Sequence, residues 1–281
     1  MTFRGQVALV TGAASGMGRL AATRLAAAGT DVVALDVDED GLARTARHAP
    51  MVHPVACDVA DAEAVVEAVG EAVERFGPLD RVVSAAAIAR SGRLVRQAPA
   101  EVARILAVDL QGSVNVLLAT VPAMVERGTG DVVQFASLAG WLPSLGIGAY
   151  SAAKAGIASF TETLWRENRD CGVRFVCVCP PVVDTPLLDT IGDDAPAGLT
   201  RAPKLAPEVV LDALDDALDD GRFWCFPTRH DVSSVAPLRA TSSAVAPPTT
   251  YVGPKPTCEA PAPGLQLPVT VAPLRVAGSG S

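Results

Sequence analysis

Short apolar runs rich in β-branched residues alternate with longer Ala-rich helical patterns from Gln6 to about Phe226. This alternation is typical of βαβ units that share one parallel sheet. Because the apolar runs are nearly continuous, they predict strands buried on both faces and helices on both sides of the sheet. Seven strands are predicted, at 6–10, 31–36, 51–56, 80–85, 131–136, 173–178 and 222–226. Helices are predicted at 16–28, 61–75, 99–127, 150–169 and 207–219, with a shorter helical pattern at 39–47.

The pattern changes after Phe226. Residues 228–281 are rich in Pro, Ser, Thr and Ala and show no sustained period, which predicts an extended or disordered tail. Two alternatives stay open for this tail. In the first, the tail comes from an altered reading frame or from a junction with unrelated sequence. In the second, it docks on a partner as an extended proline-rich segment. The folded domain is expected to span residues 1–227.

Length, composition and charge exclude several classes of protein. A chain of 281 residues suits one large α/β domain, and no apolar run approaches twenty residues, so a transmembrane helix is not expected. The N-terminus lacks the order of segments of a secretion signal, which predicts a cytoplasmic protein. A net charge of −8 gives little attraction to nucleic acid or to anionic membranes. Cys177 and Cys179 have no nearby ligands to complete a metal site, so no metal is expected.

A glycine-rich turn joins the first predicted strand to the first predicted helix. In TGAASGMG, residues 11–18, the glycines Gly12, Gly16 and Gly18 lie where the chain turns sharply. Glycines let the backbone approach a pyrophosphate, and the N–H groups and dipole of the helix N-terminus favour its negative charge. The turn therefore predicts a dinucleotide site that also involves Ser15 and Met17.

Asp36 stands at the end of the second predicted strand. A carboxylate at this place accepts hydrogen bonds from an adenosine ribose and repels a 2′-phosphate. Neither Ser15 nor Val37 supplies a basic group to offset that repulsion, so NAD is favoured over NADP. The alternative is that Asp36 is only a solvated strand end.

Tyr150 and Lys154 lie four positions apart at the start of a predicted helix. Residues with this spacing share a helix face, so the ammonium of Lys154 favours the phenolate of Tyr150. A free tyrosine has a pKa of about 10 and is a poor base at neutral pH. A neighbouring cation that favours the phenolate would make it a better base. Each residue alone is equally consistent with packing or solvation, and only the combination indicates proton transfer.

With TGAASGMG at 11–18, Ser137, Tyr150 and Lys154, the chain resembles the short-chain dehydrogenase/reductase family over about residues 4–227. The resemblance implies a single Rossmann-like domain with a doubly wound parallel sheet, a nicotinamide dinucleotide, and reversible hydride transfer between an alcohol and a carbonyl. It implies that Ser137 orients the substrate, that Tyr150 is the general acid and base, and that Lys154 also contacts the nicotinamide ribose.

The resemblance also places cofactor contacts outside the glycine turn. Asp58 is expected to hydrogen-bond the adenine ring, Thr185 is expected to contact the nicotinamide carboxamide, and residues 186–206 are expected to form a substrate lid. The complete set of expected cofactor contacts is Gly12, Ser15, Gly16, Met17, Gly18, Asp36, Asp58, Val59, Ala86, Tyr150, Lys154, Pro180, Val183 and Thr185.

Three positions depart from the family's pattern. SAAA at 84–87 replaces Asn-Asn-Ala-Gly, Pro181 replaces a glycine, and Asp109 replaces the fourth catalytic residue, an asparagine. An ionised Asp109 raises the pKa of Tyr150, so we expect an alkaline activity optimum that moves toward neutral in Asp109→Asn. The alternative is that Asp109 is a helix-bend residue that faces water.

The expected substrate is a small hydrophobic secondary alcohol or its ketone. Leu187, Leu188, Ile191 and Trp141 are expected to present apolar surface to it, and no cluster of arginines awaits an anionic group. By the same family resemblance, a homodimer or homotetramer is expected. The rival function is a dinucleotide-binding regulatory or scaffold protein of the same fold that has little or no turnover.

Overall fold

A computed structural model describes residues 5–47, 49–192 and 201–227. Its centre is a seven-stranded sheet in the order β3-β2-β1-β4-β5-β6-β7, in which every neighbouring pair is parallel. The strands are β1 Val7–Thr11, β2 Asp31–Asp36, β3 Val52–Ala56, β4 Arg81–Ser84, β5 Gly130–Phe135, β6 Val173–Val178 and β7 Trp224–Cys225. The strand order reverses between β1 and β4, and in such sheets ligands bind at the carboxyl ends of the strands beside that point.

Helices cover both faces of the sheet, as the continuous apolar strands predict. One core cluster joins the sheet to α3, α5 and α6, and a second joins the opposite face to α1, α2 and α8. The helices are α1 Gly16–Ala27, α2 Glu39–Ala46, α3 Ala62–Phe76, α4 Pro99–Leu106, α5 Ser113–Arg127, α6 Gly148–Glu167, α7 Leu187–Thr190 and α8 Pro207–Asp219. The predicted α/β fold with a doubly wound parallel sheet is therefore confirmed.

The single helix predicted at 99–127 is divided by a π-helical turn at Ala107–Gly112. A π turn accommodates one extra residue and occurs mostly at functional sites. Two contacts explain its position. The carboxylate of Asp109 accepts a hydrogen bond from the N–H of Ile88 at 2.8 Å, and a Cβ on Gly112 would lie 2.6 Å from a methyl of Val59. Apolar periodicity gives no sign of such contacts between distant parts of the chain.

More than half of the most apolar stretch of Pro99–Arg127 is buried. This segment is the single described helix that is long and apolar enough, by composition, to cross a membrane. Its apolar side chains pack instead against the sheet and α3, which identifies it as a core helix of the domain.

The last strand is shorter than its predicted range of 222–226. Only Trp224 and Cys225 pair with β6, while the flanking aromatic rings form a cluster. The ring of Phe223 stacks on Trp165, and Trp141 meets Trp224 and Phe226 edge to face. The rings on both sides of β7 thus pack on Trp141 of the loop after β5 and on Trp165 of α6. The predicted tail at 228–281 lies outside the described residues, as does 193–200 within the expected lid.

Candidate active site

Two neighbouring cavities lie at the carboxyl ends of the strands, where the strand order reverses. Each has a volume of about 370 Å³. The first, called the groove, is lined by Gly12, Asp36, Asp58 and Arg104 among others. The second, called the apolar pocket, is lined by Ser137, Tyr150 and many aliphatic side chains. The two share part of their lining, namely Met17, Ala85, Ala87, Ala89, Thr185 and Leu187.

The glycine-rich turn forms the floor of the groove. Gly12 has a φ of 68°, which disfavours other residues, and a Cβ on it would lie 2.8 Å from the backbone nitrogen of Ala86. A Cβ on Gly18 would lie 2.2 Å from the carbonyl oxygen of Gly12. Because no side chain fits at these two glycines, their backbone stays accessible to a ligand in the groove. Helix α1 starts at Gly16, so its unpaired N–H groups and positive dipole end meet the groove.

Two backbone N–H groups hold the Asp36 carboxylate at the edge of the groove. The N–H of Ala14 donates to Oδ2 and the N–H of Asp38 donates to Oδ1, both at 3.0 Å. A carboxylate oxygen has two lone pairs, so each oxygen keeps acceptor capacity for a ligand hydroxyl. Asp36 is therefore a fixed acceptor, in contrast to the freely solvated strand end of the alternative interpretation.

The loop SAAA at 84–87 is fastened to β1. The hydroxyl oxygen of Thr11 accepts hydrogen bonds from the N–H groups of Ala85 and Ala86, at 3.1 and 3.2 Å. No non-glycine residue in the described ranges has a positive φ, so Ala87 occupies the place of the family's glycine without left-handed strain. Ala85, Ala86 and Ala87 all line the groove.

Ser137, Tyr150 and Lys154 come together in the apolar pocket. Ser137 follows β5, while Tyr150 and Lys154 lie on the first turns of α6. The Lys154 nitrogen lies 5.5 Å from the centre of the Tyr150 ring and donates to the carbonyl oxygen of Phe135 at 3.2 Å. The Ser137 hydroxyl accepts a hydrogen bond from the N–H of Ala139 at 3.1 Å, and Ser137 acts to lower the pKa of the Tyr150 phenol. A hydroxyl and a phenol thus share one end of the pocket, beside a cation.

The pKa of Tyr150 is raised above its ordinary value of 10. Removal of the phenol from water raises it most. Lys154 lowers the pKa, the negative charge of Asp109 raises it, and the hydrogen bond from Ser137 lowers it again. The predicted effect of Lys154 therefore has the right sign, but burial outweighs it.

Asp109 lies behind Lys154 and lines neither cavity. It is fully buried, so the alternative in which it faces water is wrong. Its Oδ2 lies 3.6 Å from the Lys154 nitrogen, and burial raises its pKa to about 6 against the lowering effect of Lys154. The other residues predicted for catalysis or cofactor binding all line one or both cavities. Asp109 therefore acts on the site from behind Lys154, without lining either cavity.

The apolar pocket contains residues that the sequence identified and others that it missed. Leu187, Leu188 and Ile191 line it, as expected. Trp141 does not, because its ring packs against Trp224 and Phe226. Three further lining residues, which no sequence pattern indicated, come from the loop before α6: Leu142, Ser144 and Ile147.

A short strap crosses between the loop after β4 and α7. The N–H of Ser91 donates to the carbonyl oxygen of Ile191 at 2.7 Å, and the guanidinium of Arg90 donates to the carbonyl oxygen of Thr190. The Thr190 hydroxyl donates in turn to the carbonyl oxygen of Ala89 at 3.5 Å. The first part of the expected lid is thus tied to the wall of both cavities.

Comparison with known sequences assigns this chain to one protein family. The profile described as short chain dehydrogenase matches residues 6–196. A protein of Mycobacterium tuberculosis named "Probable oxidoreductase EphD" is 39% identical over 193 residues, which are 66% of this chain but only 32% of the relative's length. The 3-oxoacyl-[acyl-carrier-protein] reductase FabG of Thermotoga maritima is 30% identical over 223 residues, which are 75% of this chain and 91% of the relative.

Solved structures share the architecture. A short-chain dehydrogenase/reductase from Burkholderia phymatum in complex with NAD superposes with a TM-score of 0.77 at 26% identity, covering 89% of this chain and 100% of that one. A short-chain dehydrogenase from Sphingobium yanoikuyae in complex with NADPH has the same fold, with a TM-score of 0.73 at 23% identity, covering 85% and 94%. This chain therefore has the fold of these proteins, built on one doubly wound parallel sheet. The chain belongs to the short-chain dehydrogenase family.

Proposed function

We propose that the protein is an NAD-dependent oxidoreductase that interconverts a hydrophobic secondary alcohol and its ketone, with Tyr150 as general acid and base. One observation carries the proposal. Ser137, Tyr150 and Lys154 meet in an apolar pocket that shares a wall with a groove built to accept a dinucleotide. A protein that only bound the dinucleotide would have no need of a phenol, a hydroxyl and a buried ammonium at this point.

The groove fits a nicotinamide dinucleotide by its own chemistry. Its glycine floor would let a pyrophosphate approach the N-terminus of α1, and Asp36 would accept hydrogen bonds from ribose hydroxyls. The carboxylate would repel a 2′-phosphate, which supports NAD over NADP. When bound, the nicotinamide ring supplies the hydride acceptor or donor of the reaction.

The residues of the chain would manage the proton. In alcohol oxidation Tyr150 takes the hydroxyl proton while the C–H bond breaks and its electron pair leaves as hydride, so a C=O bond forms. In reduction the phenol returns that proton to the carbonyl oxygen. Ser137 donates a hydrogen bond to the same oxygen, and Lys154 holds positive charge beside the phenol.

The lining of the apolar pocket supports a substrate without a charged group. Among the described residues that line it, Lys154 is the only one with a charged side chain, and it lies beside Tyr150. The rest of the lining includes aliphatic side chains from the loop before α6 and from α7 with its C-cap, namely Leu142, Ile147, Leu187, Leu188 and Ile191. Such a surface favours a carbon skeleton and offers no partner to a carboxylate or phosphate.

NADH formation from NAD and a panel of hydrophobic secondary alcohols tests this function. We expect turnover in the wild type and a loss of at least about a hundredfold in Tyr150→Phe, because general acid–base catalysis contributes about that much. The chain has one other tyrosine, so Tyr251→Phe is a matched control for the same chemical change. Binding of NADH without turnover across the panel would instead support the regulatory or scaffold function.

Two further expectations belong to the proposal. The family resemblance supports assembly as a homodimer or homotetramer, which sedimentation of the purified chain measures. A cytoplasmic location likewise remains a prediction, and microscopy of a tagged full-length protein tests it.

A further inference from the structure

Arg104 and Asp58 reach each other across one end of the groove. Arg104 belongs to the last turn of α4, and Asp58 follows β3. The Arg104 Nη2 lies 3.0 Å from Asp58 Oδ2, and both side chains line the groove. No local pattern predicts this pair, because the two residues are 46 positions apart and belong to different elements.

The pair contributes little to the stability of the fold. The side chains are 51% and 37% exposed, so solvent screens their attraction and ordering two side chains offsets much of it. The pair instead fixes the orientation of the Asp58 carboxylate. The N–H of Ala60 holds Oδ1 at 3.0 Å and the guanidinium holds Oδ2, so the carboxylate is gripped from both sides.

The gripped carboxylate still has room for a ligand. An ionised carboxylate oxygen has two lone pairs, so Oδ2 can accept a second donor beside Arg104. The amine of an amino-substituted heteroaromatic ring therefore matches this carboxylate, because it can donate to Oδ2 beside the guanidinium.

We propose that Arg104 is a positioning residue that holds the Asp58 carboxylate for the exocyclic amine of the adenine base. The inference rests on the proposed function, which brings a nicotinamide adenine dinucleotide into the groove. Arg104 would act through Asp58 rather than on the reacting atoms, so its removal would weaken cofactor binding and leave the chemical step unchanged.

Direct binding measurements test the inference. The dissociation constants of NADH and of reduced nicotinamide hypoxanthine dinucleotide are measured by fluorescence titration of the full chain. The second compound differs from the first in having a carbonyl in place of the amine. We expect Arg104→Met to weaken NADH binding about three- to tenfold, as for one lost hydrogen bond, and to change binding of the hypoxanthine compound less than about twofold.

Two further variants serve as controls. Arg93→Met removes the same charge from an exposed arginine that lines neither cavity, so it reports the general effect of net charge on an anionic ligand. Asp58→Ala removes the acceptor itself. Combined with Arg104→Met, it should show no further loss, because Arg104 has no carboxylate left to hold.

The outcomes separate this inference from the proposed function. Equal weakening of both compounds by Arg104→Met, or an unchanged affinity for NADH, overturns the role of Arg104 and leaves the proposed function intact. Wild-type protein that binds neither compound overturns the proposed function, and the inference with it. A selective loss of NADH affinity in Arg104→Met, absent in Arg93→Met, supports the inference.

Discussion

Asp109 and Lys154 form an ion pair inside the domain, with Oδ2 of the carboxylate 3.6 Å from the lysine nitrogen and neither side chain more than 2% exposed. The family has an asparagine at this position, so this chain sets a negative charge beside the cation that faces Tyr150. The carboxylate offsets part of the field of Lys154, and it raises the pKa of the phenol directly. A single carboxylate in place of an amide therefore adjusts the acid and base chemistry of the site.

The pH dependence of oxidation should respond to this charge. We expect alcohol oxidation by the wild type to rise toward alkaline pH, because the phenolate is needed and the pKa of Tyr150 is raised. In Asp109→Asn the negative charge is gone, so the rising limb should move to lower pH by about 0.5 to 1 unit. Initial rates at saturating NAD between pH 6 and 10 measure this, and coincident profiles would contradict it.

Protein stability should carry a second signature of Asp109. The pKa of this carboxyl is raised from 3.8 to about 6 in the fold, so the protein binds its proton more tightly than the unfolded chain does. The stability from this group is complete below about pH 4 and is lost as the pH rises through about 6. We expect the unfolding free energy of the wild type, relative to Asp109→Asn, to fall by up to about 3 kcal/mol over that window.

Urea unfolding of both proteins at several pH values tests this second prediction. The comparison cancels the other titrating groups, which the two proteins share. A difference that stays constant from pH 4 to pH 7 would mean that the carboxyl titrates alike in the folded and unfolded chains.

Gly18 should not tolerate even one methyl group. A Cβ there would lie 2.2 Å from the backbone oxygen of Gly12, so Gly18→Ala must displace the turn that floors the groove. We expect about 1 to 3 kcal/mol of destabilisation and a large loss of NADH affinity. Gly70→Ala is the matched control, since no atom lies within 4 Å of its Cβ and helix propensity should make it slightly stabilising. Thermal melts and NADH titrations compare the two, and similar results for both would contradict the close packing.

Asp36 should set the choice of cofactor. In Asp36→Ala the repulsion of a 2′-phosphate is gone, so we expect the ratio of kcat/KM for NAD to that for NADP to fall at least about tenfold, or about 1.4 kcal/mol. Asp38→Ala is the control, because Asp38 is an exposed carboxylate two residues further on that does not line the groove. An unchanged ratio in Asp36→Ala would show that another group selects the cofactor.

Periodicity was sufficient for the sheet but not for the contacts between elements. The strands and most helices follow from local patterns, since buried parallel strands must be continuously apolar and their helices amphipathic. The aromatic cluster around β7 depends on Trp141 and Trp165, which are far from Trp224 in sequence. No local pattern in the sequence encodes such a contact.

In the candidate site, too, local features could be predicted from the sequence and contacts between distant residues could not. The glycine turn, Asp36 and the Tyr150 and Lys154 pair were recognisable because each depends on local spacing or on a strand end. The net direction of the Tyr150 pKa was not, because it depends on how much water the fold removes. Arg104 was missed for a related reason, since its contact with the Asp58 side chain forms only in the folded protein, across the groove.

The π turn at Ala107–Gly112 makes the effect of a deletion in this segment depend on where it falls. The wider π turn absorbs its extra residue, whereas one residue deleted from the regular helix at the start of α5 would turn the rest of α5 by about 100°. The side chains that α5 buries against the sheet would then point sideways: Val116, Leu117, Val121 and Met124. A one-residue deletion within the π turn therefore preserves the angular phase of the helix, whereas the same deletion in α5 does not.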